Sequence, residues 1–206
     1  RYSLHCQGDG AVRKTIDLYE RLPRDESGRL ARRHSITDLE NSDPADLARM
    51  GAIGGICEVY PQILTLDKRE DCLSTMRRQI GEKRLSRSWN RRAMVDGGCV
   101  LCCGTDLPLL IPHLGDSIYS ACGGYFADGL DVNPQNTVSV AELLRAWTAG
   151  GSYDLVREND FGTLEAGKLA DICVLDRDVF AVDPKDARDI QVSLTLSDGR
   201  VVYEDC

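Results

Sequence analysis

The chain has no long apolar run. Nowhere in its 206 residues does a segment approach the ~18 consecutive apolar side chains that a helix needs to cross a bilayer, so no membrane partner is expected. It has no basic excess either. Its 25 lysines and arginines stand against 33 aspartates and glutamates, a net charge of −8. That argues against nucleic acid as a partner, because a phosphate backbone demands a basic face. No apolar leader segment follows Arg1, so no signal peptide is read there. Cysteine breaks this pattern of scarcity. There are nine, at 6, 57, 72, 99, 102, 103, 122, 173 and 206, but the number is odd and the spacing is not that of a secreted disulfide scaffold. Such usage points to a reducing cytoplasm. In the one dense cluster, GCVLCCG, Cys99 and Cys102 have the CxxC interval. On a strand, residues three apart point to opposite faces, which makes a poor chelate. The preferred reading is free cysteine acting as a small buried hydrophobe.

What is present is an ordinary globular composition, 42% hydrophobic and 28% charged, laid out as alternating strands and helices. Tyr2, Leu4 and His5 read as the tail of a strand. After a Gly-Asp-Gly turn, Val12, Ile16, Tyr19 and Leu22 recur at helical spacing. HSITDL alternates as a strand with His34, Ile36 and Asp38 on one side. Asp43, Pro44 and Asp46 mark a helix start as N-cap, first-position proline and first-turn acid. GICEVYPQI is strand-like as far as Pro61. Residues 68–96 are a charged helical stretch interrupted near Gly81, and VLCC is a short strand ending in Gly-Thr-Asp. A long loop follows, carrying Pro108, Pro112, Gly115, Gly123, Gly124, Gly129 and Pro134. In SVAELLRAW, Ser139 and Glu142 form a capping box, and Val140, Leu143, Leu144 and Trp147 form the stripe to be buried.

This order predicts an α/β fold with parallel strands and helical crossovers, about four βα units over residues 1–150. An eight-stranded βα barrel takes ~250 residues, so residues 1–150 supply about half of one. Residues 151–206 change texture. GKLADICVLD and IQVSLTLSDGRVVYED read as strands, and their Ser-Asp-Gly turn suits a hairpin, which predicts a small antiparallel β module.

In parallel βα architectures the chemistry gathers at the C-terminal strand ends. The polar residues expected there are His5, Asp38 and Asp106, with Glu58 earlier in its strand. One imidazole and two carboxylates from different strands are a candidate set for a divalent metal. His34 and Asp38 are ~13 Å apart along a strand and cannot share one ion. Asp38 is nearer the strand end, and His34 reads as a core histidine. His113, in the loop after Asp106, is a candidate substrate contact. A Cys6/His5 nucleophile pair is disfavoured, since adjacent strand residues point apart.

Four segments carry a resemblance to a known family. HCQGDGAVRKTIDLYE resembles the H-x-x-G-D-x-A-V segment of the amidohydrolase superfamily, in its YtcJ-like (amidohydrolase-3) branch. RRHSITDLENSDPADLARMGAIGGICEVYPQ is similar to that family's sixth-strand segment, CCGTDLP to its eighth-strand S/T-D-x-P, and FGTLEAGKLADICVLDRDVF to its return into the β module. The resemblance implies a metal-dependent (β/α)8 barrel, of which residues 1–150 correspond to strands 5–8. Residues 151–206 then form the C-terminal part of the small β module. It implies one or two divalent metals, zinc by expectation, with His5 as fifth-strand ligand and Asp106 as eighth-strand ligand. Asp9 matches the acid of the family's turn, with a capping or supporting role expected. Asp38 stands where the family usually carries a ligand histidine, a harder donor that would shift metal preference. The H-x-H pair and the bridging lysine or glutamate of the family have no counterpart in these residues.

The implied reaction is hydrolysis of a C–N bond in an amide, N-acyl or cyclic small-molecule substrate, with Asp106 as proton carrier. The alternative expectation is a non-catalytic fragment or subunit that needs an N-terminal half, or self-association, to complete the site.

Overall fold

The computed structural model describes residues 1–109 and 113–205, so Pro112 of the expected loop and Cys206 lie outside the described residues. Four short strands, β1 (Ser3–Cys6), β2 (Ser35–Asp38), β3 (Ile56–Val59) and β4 (Val100–Cys103), form one parallel sheet in sequential order. Their register aligns His5 with Thr37, Thr37 with Glu58, and Glu58 with Cys102. Paired residues of a parallel sheet share a face. Leu4, Ile36, Cys57 and Leu101 therefore point to one side and the His5 row to the other.

The Leu4 side is covered by helices. α1 (Asp9–Tyr19) buries Val12, Ile16 and Tyr19, as its spacing predicts. α2 (Pro44–Ala52) starts at Asp43, whose side chain accepts from Ala45 N at 3.0 Å. α3 (Arg69–Leu85) breaks at Gly81, where φ is 74° and ψ 162°, and α4 (Arg91–Asp96) leads into β4. Leu47, Met50, Met94, Ile118 and Leu143 meet Ile36, Cys57, Val59 and Leu101 in the main core. A smaller cluster of Leu64, Leu73, Leu85, Trp89, Phe126 and Val132 anchors α3.

The expected long loop contains a helix. α5 (Leu114–Ala121) buries Ile118 and Ala121, and its N-cap is His113, whose Nδ1 accepts from Asp116 N at 3.2 Å. Leu114, Ile118 and Ala121 do recur at helical spacing, but Gly115, Gly123 and Gly124 punctuate the segment like a loop. The capping box is present, with Ser139 N donating to Glu142 at 2.8 Å and Glu142 N to Ser139 Oγ at 3.3 Å. The helix it starts, α6 (Val140–Arg145), continues through a π-helical turn (Ala146–Gly150) into α7 (Gly151–Asp154). Gly150, where the sequence reading sets the boundary of the βα units, therefore lies inside the helical run. A side chain there would come within 2.1 Å of Leu101 O, so only glycine lets this helix sit directly on β4.

The three remaining strands, β5 (Ile172–Leu175), β6 (Val192–Ser197) and β7 (Arg200–Glu204), form a separate antiparallel sheet. Asp198 and Gly199, both at positive φ, make the hairpin turn, which matches strand twist. Among the described residues no helix is long and apolar enough to cross a membrane.

Cys99 and Cys102, the pair at the CxxC interval, behave as core residues. Cys99 Sγ donates to Leu47 O at 3.2 Å. Cys102 is buried on the opposite side of the strand, with its thiol pushed far up by burial.

Candidate active site

Alternation along β2 would send Asp38 to the helix side with Ile36, away from His5. The backbone prevents this. Asp38 has φ +80° and Leu39 φ +56°, a left-handed geometry that ends the pleat and re-aims the side chain. Asp38 Oδ2 then lies 3.1 Å from His5 Nε2 on the neighbouring strand, the carboxylate 6% exposed and the imidazole 62%. Burial raises the Asp38 pKa, opposed by the His5 charge and a Gln7 hydrogen bond, while Asp106 adds repulsion.

Around this pair stand groups that share its environment. Glu40 is pushed up to about 6 by burial, then by Asp38. The Glu58 pKa is raised by burial, then by Asp154 and Asp106 against the pull of Arg1. Tyr60 OH and Thr37 Oγ1 are 3.1 Å apart, and burial, with Asp106, Glu58 and Asp38 nearby, raises the phenol pKa. Among the described residues, no lysine or arginine pairs with Asp38, Glu40, Glu58 or Asp106.

Asp106 sits on the exposed turn after β4 with φ +51°. Its charge is felt by Asp38, Glu58 and Tyr60, but it is not drawn into the His5–Asp38 contact. His113 is placed as a helix cap, with Asp116 Oδ2 3.6 Å from Nδ1, and no described contact joins it to His5 or Asp38. His34 is the core residue expected. It is 4% exposed, accepts from Tyr2 N at 2.9 Å and packs between the Tyr2 and Tyr19 rings. Asp9 ties α1 to α3 through Arg84, whose Nε donates at 3.0 Å. That pairing lowers its pKa. Cys6 faces α1, its Sγ 3.2 Å from Thr15 Oγ1, while His5 faces the open side.

Tyr60, Thr37 and Glu40 are absent from the residues proposed on sequence alone. Thr37 could have been found from the parallel register, which puts it in the row of His5 and Glu58. Tyr60 and Glu40 lie beyond the strand ends, where alternation no longer says which way a side chain points.

An imidazole nitrogen and a carboxylate oxygen suit a divalent ion such as zinc in donor type. In number they fall short. Among the described residues, no three His, Cys, Asp or Glu side chains gather closely enough to hold a metal. His5 and Asp38 are two donors of a shell that needs about four.

A family model described as "Amidohydrolase family" matches residues 1–203. The chain is 24% identical over 205 residues to a Bacillus subtilis protein provisionally named amidohydrolase YtcJ, covering 98% of this chain and 37% of that protein. It is 30% identical over 113 residues to the N-substituted formamide deformylase of Arthrobacter pascens, covering 55% of this chain and 21% of that one. Among solved structures, an uncharacterized metal-dependent hydrolase from Pyrococcus horikoshii superposes with a TM-score of 0.70 at 19% identity, covering 89% of this chain and 35% of that one. The chain thus spans about a third of the length of the relatives that it matches end to end.

Proposed function

The chain belongs to the amidohydrolase family, and we propose that it supplies part of the active site of a metal-dependent hydrolase cleaving a non-peptide C–N bond. The observation that carries this reading is the His5–Asp38 pair, 3.1 Å apart. The left-handed residue at the end of β2 brings two ligand-type donors together. The names of the formamide deformylase and the metal-dependent hydrolase support the same class.

His5 Nε2 and the Asp38 carboxylate would hold the ion, with further donors from outside the described set. When bound, such an ion lowers the pKa of a water towards neutrality and polarises the scissile carbonyl. Asp106, on the open rim, accepts the proton of the attacking water and returns it to the leaving nitrogen. Its exposed turn leaves it free to meet both atoms. His113, capping α5, would reach the substrate through its remaining ring nitrogen. The substrate is a small amide, N-acyl or cyclic amide compound.

The test is metal content per chain by mass spectrometry after zinc loading. In a form that supplies the missing donors the parent chain retains zinc through dialysis, and His5→Ala and Asp38→Ala each lose it. Variants that hold zinc as well as the parent would remove the pair from the site.

A specific observation favours a second reading. β1 and β4, the outer strands of the parallel sheet, have no strand partner beyond β2 and β3 among the described residues. Open strand edges seek partners, so on this reading the chain is inactive alone and is completed by a further βα half or a second copy. Size-exclusion chromatography separates the readings: a monomer that turns over an amide substrate rules the second one out.

A further inference from the structure

We propose that Arg91 and Trp89 form a buried site for one small monovalent anion of halide size, in the one of their two shared cavities that Asp38 does not line. Arg91 is 3% exposed and Trp89 7%. Arg91 Nη2 donates to Tyr60 O at 3.3 Å. Its Nε and the indole Nε1 of Trp89 are buried N–H donors with no hydrogen-bond partner. Both residues line the same two small cavities. One is walled by Leu39, Val59, Ile63 and Met94 and touches Asp38, and the other is walled in part by Leu64 and Val132. Each offers about 10 Å³ to the centre of a water-sized sphere, room for one water or one monatomic ion and too little for a carboxylate or a phosphate.

Charge decides between water and anion. The ionisable groups bearing on the guanidinium are the Cys103 and Cys122 thiols. Burial pushes both to about 12, so they are uncharged at neutral pH. Arg91 itself, lowered by burial to about 10, keeps its proton there. Among the described residues no carboxylate forms an ion pair with it, and a buried cation without a counter-charge is costly. A water would satisfy a buried N–H group but not the charge. A halide-sized anion satisfies both. The site also has a position that matters. The same guanidinium holds the carbonyl of Tyr60, whose hydroxyl meets Thr37 in the row of His5, so the bound anion fastens α4 to the turn after β3. This inference does not depend on the hydrolase reading.

The test is thermal unfolding of the full chain at pH 7 and constant ionic strength, replacing gluconate stepwise by chloride or bromide. The midpoint should rise by about 3–5 °C per tenfold anion above the dissociation constant, and Trp89→Phe and Arg91→Met should flatten that rise. Chlorine-35 NMR gives a second readout independent of stability: excess line broadening in the parent chain, lost in Trp89→Phe even if Arg91→Met does not fold. Equal midpoints in chloride and gluconate with no excess broadening would overturn the proposal and leave the cavities to water. A chloride response intact in both variants would overturn it as well, by placing the anion elsewhere.

Discussion

Two populations of carboxylate divide this molecule. At the strand ends, Asp38, Glu40 and Glu58 have their pKa values raised, burial being the first cause for each. Over the helical layer the sign reverses. Arg49 bonds Asp17, Glu20 and Asp46 at 2.6–2.9 Å, drawing α1 onto α2, and Arg92 grips Glu142 with two bonds of 2.9 Å. Those contacts lower the pKa of Glu20 and take Glu142 down to about 2. One set is held charged by arginine and stabilises the fold. The other is left short of positive charge, which is how acids wait for a cation or a proton.

The strongest way to break the comparison is at the rim. In a form with a complete metal shell, Asp106→Asn should retain metal and lose turnover by about 10²–10⁴-fold, the range typical of a removed general acid–base group. Steady-state kinetics beside a metal assay would decide it, and retained turnover would return Asp106 to the ordinary surface.

A smaller effect is expected on the arginine-held side. The unfolded Glu142 titrates near 4.5 and the folded one near 2, so its contribution is present above pH 4.5 and lost as pH falls towards 2. With the side chain 29% exposed, screening reduces this to about 1–2 kcal/mol. Glu142→Gln should remove that loss between pH 4.5 and 2 in denaturant titrations, and an unchanged acid limb would deny the pairing its role. The smallest effect has the opposite sign. Glu58, with its pKa raised in the fold, favours folding at pH values below its unfolded pKa, and that preference is lost as pH rises through the folded value. Glu58→Gln should accordingly stabilise the metal-free chain slightly at pH 7 and leave it unchanged near pH 4.

Much of the scaffold was legible because local chemistry and tertiary packing agree. Asp43 before Pro44, the Ser139–Glu142 box and the Asp198-Gly199 turn each state their geometry in adjacent residues, and each forms as read. His34 was legible as core from its place low in the strand, where it packs between Tyr2 and Tyr19. α5 was hidden because its glycines serve close packing: a side chain at Gly115 would come within 2.3 Å of Ala187 O. The partnership of His5 and Asp38 was legible only as two residue types at neighbouring strand ends. The turn that joins them depends on a φ that alternation does not predict. Arg91 was invisible for a similar reason. In sequence it is one more charge in a charged stretch, and only the packing of Tyr60, Trp89 and Met94 around it shows that its charge is buried.

The left-handed turn at Asp38 also limits what evolution can try at that position. Positive φ of this kind is tolerated by aspartate, asparagine, histidine and glycine, and resisted by β-branched or bulky residues. The tolerated set contains both an oxygen and a nitrogen donor. One substitution could therefore exchange a carboxylate for an imidazole on the same backbone, changing the preferred ion without rebuilding the loop. On the proposed metal role of this pair, the short list of residues that the turn accepts would make metal choice an inheritable variable rather than a fixed property of the fold.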